Sequence, residues 1–255
     1  MTLSAGEERE LRALQRRKQR ERSGRFLAEG VRVVEDLLAS PLTVHWAVTA
    51  PSLEGTERGR ELAAGLDRRG IRRRGIGDAD FALLAATEHP QGVLAVAEAP
   101  SWRLDDLRPT EEREVVLVLD AVQDPGNFGT LVRSAEALGA RGVIALPGTV
   151  DPWNPKSIRA AVGSSFRLPV VAASWDEAAA WLRENRFRTL AAEMGGAEPP
   201  RDLARAALVV GNEGAGLSAE VLAGVDGVVG VPLRGRAESL NVAAAAAILL
   251  YELTR

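Results

Sequence analysis

The chain has 255 residues, two histidines and no cysteine, and its basic and acidic side chains nearly cancel at a net charge of −3. This excludes disulfides, thiolate metal sites and a cysteine nucleophile, leaves too few imidazoles for a histidine metal centre, and offers no global charge that advertises a polyanionic partner. A hydrophobic content of 46% without a membrane-length apolar run, behind an N-terminus that lacks an apolar core, predicts a cytoplasmic, metal-free protein with no membrane span, of one large or two ordinary domains.

In chain order, Ser4-x-x-Glu7 forms a capping box that opens a polar, arginine-rich helix reaching about Ser23. Its only apolar stripe is Leu11 and Leu14, so this arm is expected to pack weakly and to be mobile. Residues 9–25 carry eight basic side chains against Glu10 and Glu21, and 68–74 adds five arginines with no acid. Both runs are either solvated faces or phosphate contacts, Arg72, Arg73 and Arg74 among them. A strand turn at 26–30, a helix at 31–38, a strand at 44–48, helices at 57–69 and 78–85 and a strand at 92–97 complete a small α/β unit. The polar stretch 99–114, with Pro109 inside it, reads as a linker and divides the chain into domains 1–107 and 113–255.

The second domain opens with a strand at 115–119, a loop at 120–129 and a helix at 130–138 stopped by Gly139. A strand at 142–146, a proline-rich loop, a helix at 156–162, a strand at 169–172, a helix at 176–184 and a strand at 188–193 follow. The last fifth organises the rest: an apolar strand at 206–210, the loop Gly211-Asn212-Glu213-Gly214-Ala215-Gly216, a short helix, a strand at 227–233, the loop 234–238, and a long helix for which Ser239 is the expected N-cap. The fold class is therefore α/β, a mainly parallel sheet with helices on both faces plus a smaller N-terminal α/β domain. The two strand-to-loop junctions are expected side by side at one sheet edge, where ligands bind in open α/β folds. Alternatively, the glycines only make turns.

Common signatures are absent. The chain has no G-x-G-x-x-G, no phosphate-binding loop with a lysine after glycine, and no G-x-S-x-G elbow. What remains is a set of polar residues at loop-to-helix junctions: Asn127, Arg133, Glu213, Ser239 and Asn241.

Three ordered segments carry a specific resemblance: DPGNFGTLVRSAEALGA (124–140), VVGNEGAGLS (209–218) and VPLRGRAESLNVAAAAAILLYE (231–252). They resemble the motifs of the SpoU/TrmH family of RNA ribose 2′-O-methyltransferases of the SPOUT superfamily, and DPWNPKSIRAAVGSSFRLPV (151–170) is also typical of it. Residues 25–98, with FLAEG and EHPQGVLAVAE, resemble the family's N-terminal substrate-binding domain.

The resemblance implies an S-adenosylmethionine cofactor, a ribosomal or transfer RNA substrate, a C-terminal trefoil knot forming the cofactor pocket, and a homodimer with the pocket near its interface. It also implies that backbone around Gly211, Val231 and Leu240 holds the adenosyl group, with Asn212, Gly214 and Leu233 beside them, and that Asn127, Arg133, Glu213, Ser239 and Asn241 form the catalytic set. Glu213 either adds negative potential for the sulfonium or braces its loop. Asn127 is expected to cap its own helix, and Asn241 to sit in the first turn after Ser239. Arg133 either pairs with Glu136 on the helix surface or acts on the ribose 2′-hydroxyl. A base-nitrogen methyltransferase of the same superfamily and a catalytically silent RNA-binding module stay open as alternatives.

Overall fold

In the computed structural model, which describes residues 3–255, the chain divides into two compact units: the residues up to Ser101 together with Trp153–Phe166, and Trp102–Pro152 together with Arg167–Arg255.

The first unit holds α1 (Ala5–Leu14), α2 (Arg17–Ser23), β1 (Arg25–Glu29), α3 (Val31–Ala39), β2 (Val44–Thr49), α4 (Glu57–Arg68), β3 (Arg72–Gly75), α5 (Asp78–Ala82) and β4 (Val93–Glu98). Its four-stranded sheet has the order β1-β4-β2-β3, antiparallel except for the β2–β3 pair. The Ser4–Glu7 capping box forms, but the expected single helix to Ser23 breaks at Gln15 and Arg16. The arm is also not loosely packed. Leu11 and Leu14 are buried in a cluster with Leu27, Trp46 and Phe81, and Glu10 accepts from Arg25 at 2.7 Å and from the Trp46 indole at 3.2 Å. Two leucines are enough here because both lie on one face and meet a full apolar layer. The run 72–75, anticipated only as a basic surface, is an edge strand. Phe26 stacks on Trp153 and Phe166, so a segment that lies between two later strands in sequence completes this unit's core.

The second unit holds β5 (Glu114–Leu119), α6 (Pro125–Ala137) and β6 (Gly142–Ala145). After α7 (Pro155–Ala161), which belongs to the first unit, come β7 (Val170–Ala172), α8 (Trp175–Glu184), β8 (Arg188–Ala197), β9 (Arg205–Val210), α9 (Ala219–Gly224), β10 (Gly227–Val229) and α10 (Val242–Thr254). All six strands are parallel, in the order β10-β8-β9-β5-β6-β7. Val116–Val118 and Ala207–Val209 are fully buried, as continuous apolar strands covered on both faces must be. The stretch expected as a polar linker instead turns through Leu104–Leu107 and buries Leu107 under the sheet, with Trp102 and Leu104 packed beside it.

Three boundaries shift near the strand ends. α6 begins at Pro125 rather than at 130, because Asp124 accepts from the Asn127 N–H at 2.8 Å and proline fits the first helical position. β8 runs on to Ala197. β10 stops at Val229, and the chain from 230 to 241 is loop. There Gly196 and Gly230 cross: a Cβ on Gly230 would lie 2.5 Å from the Glu193 carbonyl oxygen, and one on Gly196 2.4 Å from the Val229 carbonyl carbon. No helix among the described residues is long and apolar enough to cross a membrane.

Candidate active site

Because every strand of the large sheet runs the same way, the loops that follow β5, β9 and β10 gather at one edge, together with the far end of β8. They enclose an open cavity of about 990 Å³. β8 separates β9 from β10, so the two glycine-bearing loops are not on adjacent strands as expected; they meet across the end of β8.

Within this edge the polar side chains form one connected structure. Asn241 is the N-cap of α10: its Oδ1 accepts from the N–H groups of Ala243 at 2.9 Å and Ala244 at 3.3 Å. Its Nδ2 donates to Asn127 Oδ1 at 2.9 Å, and Asn127 Nδ2 donates to Glu213 Oε1 at 3.1 Å. Glu213 also accepts from the backbone N–H groups of Asp124 (3.0 Å) and Gln123 (3.2 Å). Three loops are thereby tied at one carboxylate. Burial by itself would raise the Glu213 pKa, but its own backbone N–H, the Asn127 amide and the two N–H groups outweigh it, and the carboxyl lies below its ordinary range.

The glycine loop is braced from within. Asn212 Nδ2 donates to the Ala121 carbonyl at 2.8 Å, while its Oδ1 accepts from Gly214 and Ala215, each at 2.9 Å. Asn212 and Gly216 exchange backbone hydrogen bonds of 2.9 and 3.0 Å. Buried Asp120 accepts from the Ser218 N–H at 2.7 Å, and Ala121 takes a left-handed φ of 54° to make the turn. A Cβ on Gly211 would lie 2.4–2.5 Å from backbone atoms of Gly216 and Leu217, so this position admits only glycine without rearrangement.

Of the residues anticipated from sequence, Asn127, Glu213, Ser239, Asn241, Gly211, Asn212, Gly214, Val231, Leu233 and Leu240 all line the cavity. Two capping expectations change. Ser239 makes no hydrogen bond to protein among the described residues, since the helix it was expected to cap begins at Val242. Asn127 sits inside the first turn of its helix, which leaves its side chain free to link Asn241 with Glu213.

Arg133 is exposed on α6 and does not line the cavity. Six residues past Asn127 turn it roughly 120° away around the helix. It does not pair with Glu136, which instead holds Arg167 at 3.0 Å. Arg72, Arg73 and Arg74 lie in the first unit and are engaged: Arg74 and Arg72 reach Glu7 at 2.8 and 3.3 Å, and Arg73 reaches Asp67 at 2.7 Å. The Ser4 backbone and then Arg74 hold the Glu7 carboxyl down at about 2.

Residues 114–251 match the SpoU rRNA Methylase family, and residues 9–95 match the MRM3-like substrate binding domain. The chain belongs to the SpoU rRNA methylase family. Among relatives, the 23S rRNA (guanosine(2553)-2′-O)-methyltransferase of Bacillus subtilis is 37% identical over 243 residues, covering 94% of this chain and 92% of that protein. The 23S rRNA (uridine(2479)-2′-O)-methyltransferase of Streptomyces viridochromogenes is 34% identical, covering 94% and 85%. Among solved structures, the SpoU methyltransferase AviRb of S. viridochromogenes in complex with the cofactor AdoMet aligns with a TM-score of 0.85 at 32% identity, covering 99% of this chain and 97% of that one. An AdoMet-bound rRNA methyltransferase from Sinorhizobium meliloti aligns with a TM-score of 0.84 at 31% identity, covering 99% and 95%.

Sequence reasoning missed part of this SpoU site. Glu193, Met194 and Glu198 at the end of β8 line the cavity, and Glu238 joins them from the last loop. The available signal was Gly195-Gly196 directly after an apolar strand, the same strand-then-glycine pattern that marked Gly211. Counting Glu213, the wall carries four carboxylates and no lysine or arginine among the described residues.

Proposed function

We propose that this protein methylates a ribose 2′-hydroxyl of ribosomal RNA, with S-adenosylmethionine as methyl donor. The observation that carries the reading is the Asn241–Asn127–Glu213 hydrogen-bonded chain on the wall of a cavity that holds acids and no bases. A wall of four carboxylates suits a ligand with a cationic centre. The backbone approach at Gly211 and the apolar faces of Leu233 and Leu240 suit its adenosyl part. The names of the relatives above point the same way. When bound, the cofactor supplies an electrophilic methyl group on a sulfonium.

The chain's own residues do the positioning. Gly211, Asn212, Gly214, Val231, Leu233 and Leu240 form the binding wall. Glu213 keeps Asn127 and the start of α6 fixed to the glycine loop, and adds negative potential. Asn241 holds α10 to the same point. Ser239, whose hydroxyl has no protein partner among the described residues, binds the RNA strand. Arg133 stays charged and stabilises the oxyanion that develops at the 2′-oxygen. Because Arg133 lies outside its own cavity, this role requires RNA that spans from the cavity to α6, or a second protomer. We infer a cytoplasmic homodimer, supported by the exposed Ile248 and Tyr251 on α10, which packs along α6. We also infer that the C-terminal segment is threaded as a trefoil knot, supported by α10 returning over β9, β5 and β8.

The test is transfer of labelled methyl from S-adenosylmethionine to in-vitro-transcribed 23S rRNA and to tRNA, followed by alkaline hydrolysis. An alkali-resistant dinucleotide in the 23S product is the expected result. Label released on a modified base, or no transfer at all, overturns the reading.

A further inference from the structure

The loop between β10 and α10 has two sides. Residues 230–233 and 238–242 line the cavity, but Arg234, Gly235, Arg236 and Ala237 do not, and every residue from 232 to 241 is exposed. Neither Arg234 nor Arg236 has an ion pair or hydrogen bond among the described residues. A Cβ built on Gly235, between them, meets nothing within 4 Å, so nothing packs against the backbone at the tip of this loop.

Resting on the function proposed above, we propose that Arg234 and Arg236 clamp the RNA phosphates that flank the target ribose. The argument starts from the cavity. Four carboxylates that favour a cationic cofactor also repel the two phosphates on either side of any ribose brought to that mouth. A polyanion can be held there only if cations stand at the rim, and on this loop those cations are Arg234 and Arg236. The arginines of β3 are satisfied by Glu7 and Asp67, so they compete poorly for this role. A guanidinium fork matches phosphate oxygens in pairs, which a lysine cannot do. The same loop turns Leu233 and Leu240 to the cavity, each about 40% exposed. A cofactor that covers these two leucines steadies the loop between them, so the clamp tightens on RNA once the cofactor is bound.

The experiment compares wild type with an Arg234→Ala/Arg236→Ala variant on in-vitro-transcribed 23S rRNA. Since neither side chain has a partner among the described residues, the variant should melt with the wild type. The expected result is a KM for RNA raised at least tenfold, with kcat at saturating RNA within about threefold. The plot of log Kd against log salt should flatten by about 1.4, the loss of two phosphate contacts on a single strand. Calorimetric affinity for S-adenosylmethionine should be unchanged, and an Arg234→Lys/Arg236→Lys variant should recover the salt slope. An unchanged KM and slope overturns the clamp. A weakened cofactor affinity also overturns it, because the arginines then hold the cofactor's carboxylate. If wild type transfers no methyl to RNA, the proposed function fails, and filter binding of the two proteins still decides the clamp through the salt slope alone.

Discussion

Gly211→Ala is the substitution with the most definite structural consequence. The added Cβ would stand 2.4 Å from the Gly216 carbonyl carbon and 2.5 Å from both the Gly216 oxygen and the Leu217 nitrogen. All three atoms are backbone, so no side chain can swing aside. Restoring ordinary contact requires the two arms of the loop to part by roughly 1 Å. That displacement stretches the Asn212–Gly216 exchange, now 2.9 and 3.0 Å, beyond hydrogen-bonding range. Losing two such bonds at ~0.5–1.5 kcal/mol each gives a cost of ~1–3 kcal/mol, which matches the usual penalty for overpacking.

The same shift moves the cavity wall that carries Asn212 and Glu213. Affinity for S-adenosylmethionine should therefore fall by about one to two orders of magnitude, corresponding to ~1.4–2.7 kcal/mol. The assay is titration calorimetry with matched thermal melts, and the control is Gly214→Ala. Gly214 lines the same cavity, yet its added Cβ meets only Asn212 Oδ1 at 3.7 Å, so it should leave stability unchanged and weaken binding far less. Wild-type affinity in Gly211→Ala, or equal losses at the two positions, would refute the reasoning.

Asn241→Ala should lower stability by ~0.5–2 kcal/mol through loss of the cap and also reduce turnover by releasing Asn127, whereas Ser239→Ala should leave the melting temperature in place; chemical denaturation with a methyl-transfer assay separates the two. Because the Glu213 carboxyl lies below its ordinary value, the stability it contributes is fully present above the unfolded carboxylate pKa and is lost as pH falls through the folded one. The stability gap between wild type and Glu213→Gln, measured in urea, should accordingly hold steady from pH 5 to pH 7, both values being roughly above that carboxylate range, and close on further acidification; a gap that widens in acid contradicts the assignment. Arg133→Ala should lose at least about two orders of magnitude in single-turnover rate, comparable to removal of one oxyanion donor, with Arg133→Lys retaining part of the rate and neither variant changing cofactor affinity; a near-normal rate in the alanine variant returns Arg133 to a purely surface role.

Apolar strands are the most legible feature of the sequence. The runs at 115–119 and 206–210 are continuously apolar and wholly or partly β-branched, as a doubly covered parallel strand should be, and they fall inside β5 and β9. The glycine loop was legible for a similar reason, since three glycines in six residues signal close backbone approach. Caps were harder. Ser239 and Asn241 are both good N-cap residues, and local propensity cannot choose between them; Asn241 wins because its other amide atom reaches Asn127, 114 residues earlier in the chain. The pairing of Arg74 with Glu7 is likewise invisible locally, because a basic run looks solvated until the strand that carries it is docked against a distant helix. The four-carboxylate wall is invisible locally because its members come from the end of β8 and from two separate loops.

The role proposed for Arg133 follows from its setting. It is exposed, two turns into α6 and outside the lining of the cavity beside it, so it meets the 2′-oxygen only when RNA reaches α6 or a second protomer presents it. A guanidinium carries five N–H donors and no acceptor. Its chemistry there is that of a fixed cation beside an oxygen acquiring negative charge, and the hydroxyl proton leaves to another acceptor, a phosphate or water. Alanine at 133 removes that cation and lysine keeps it. A single-turnover rate lost in Arg133→Ala and partly kept in Arg133→Lys is the signature of this division of labour; equal losses in the two variants belong to a role that needs the planar fork rather than its charge.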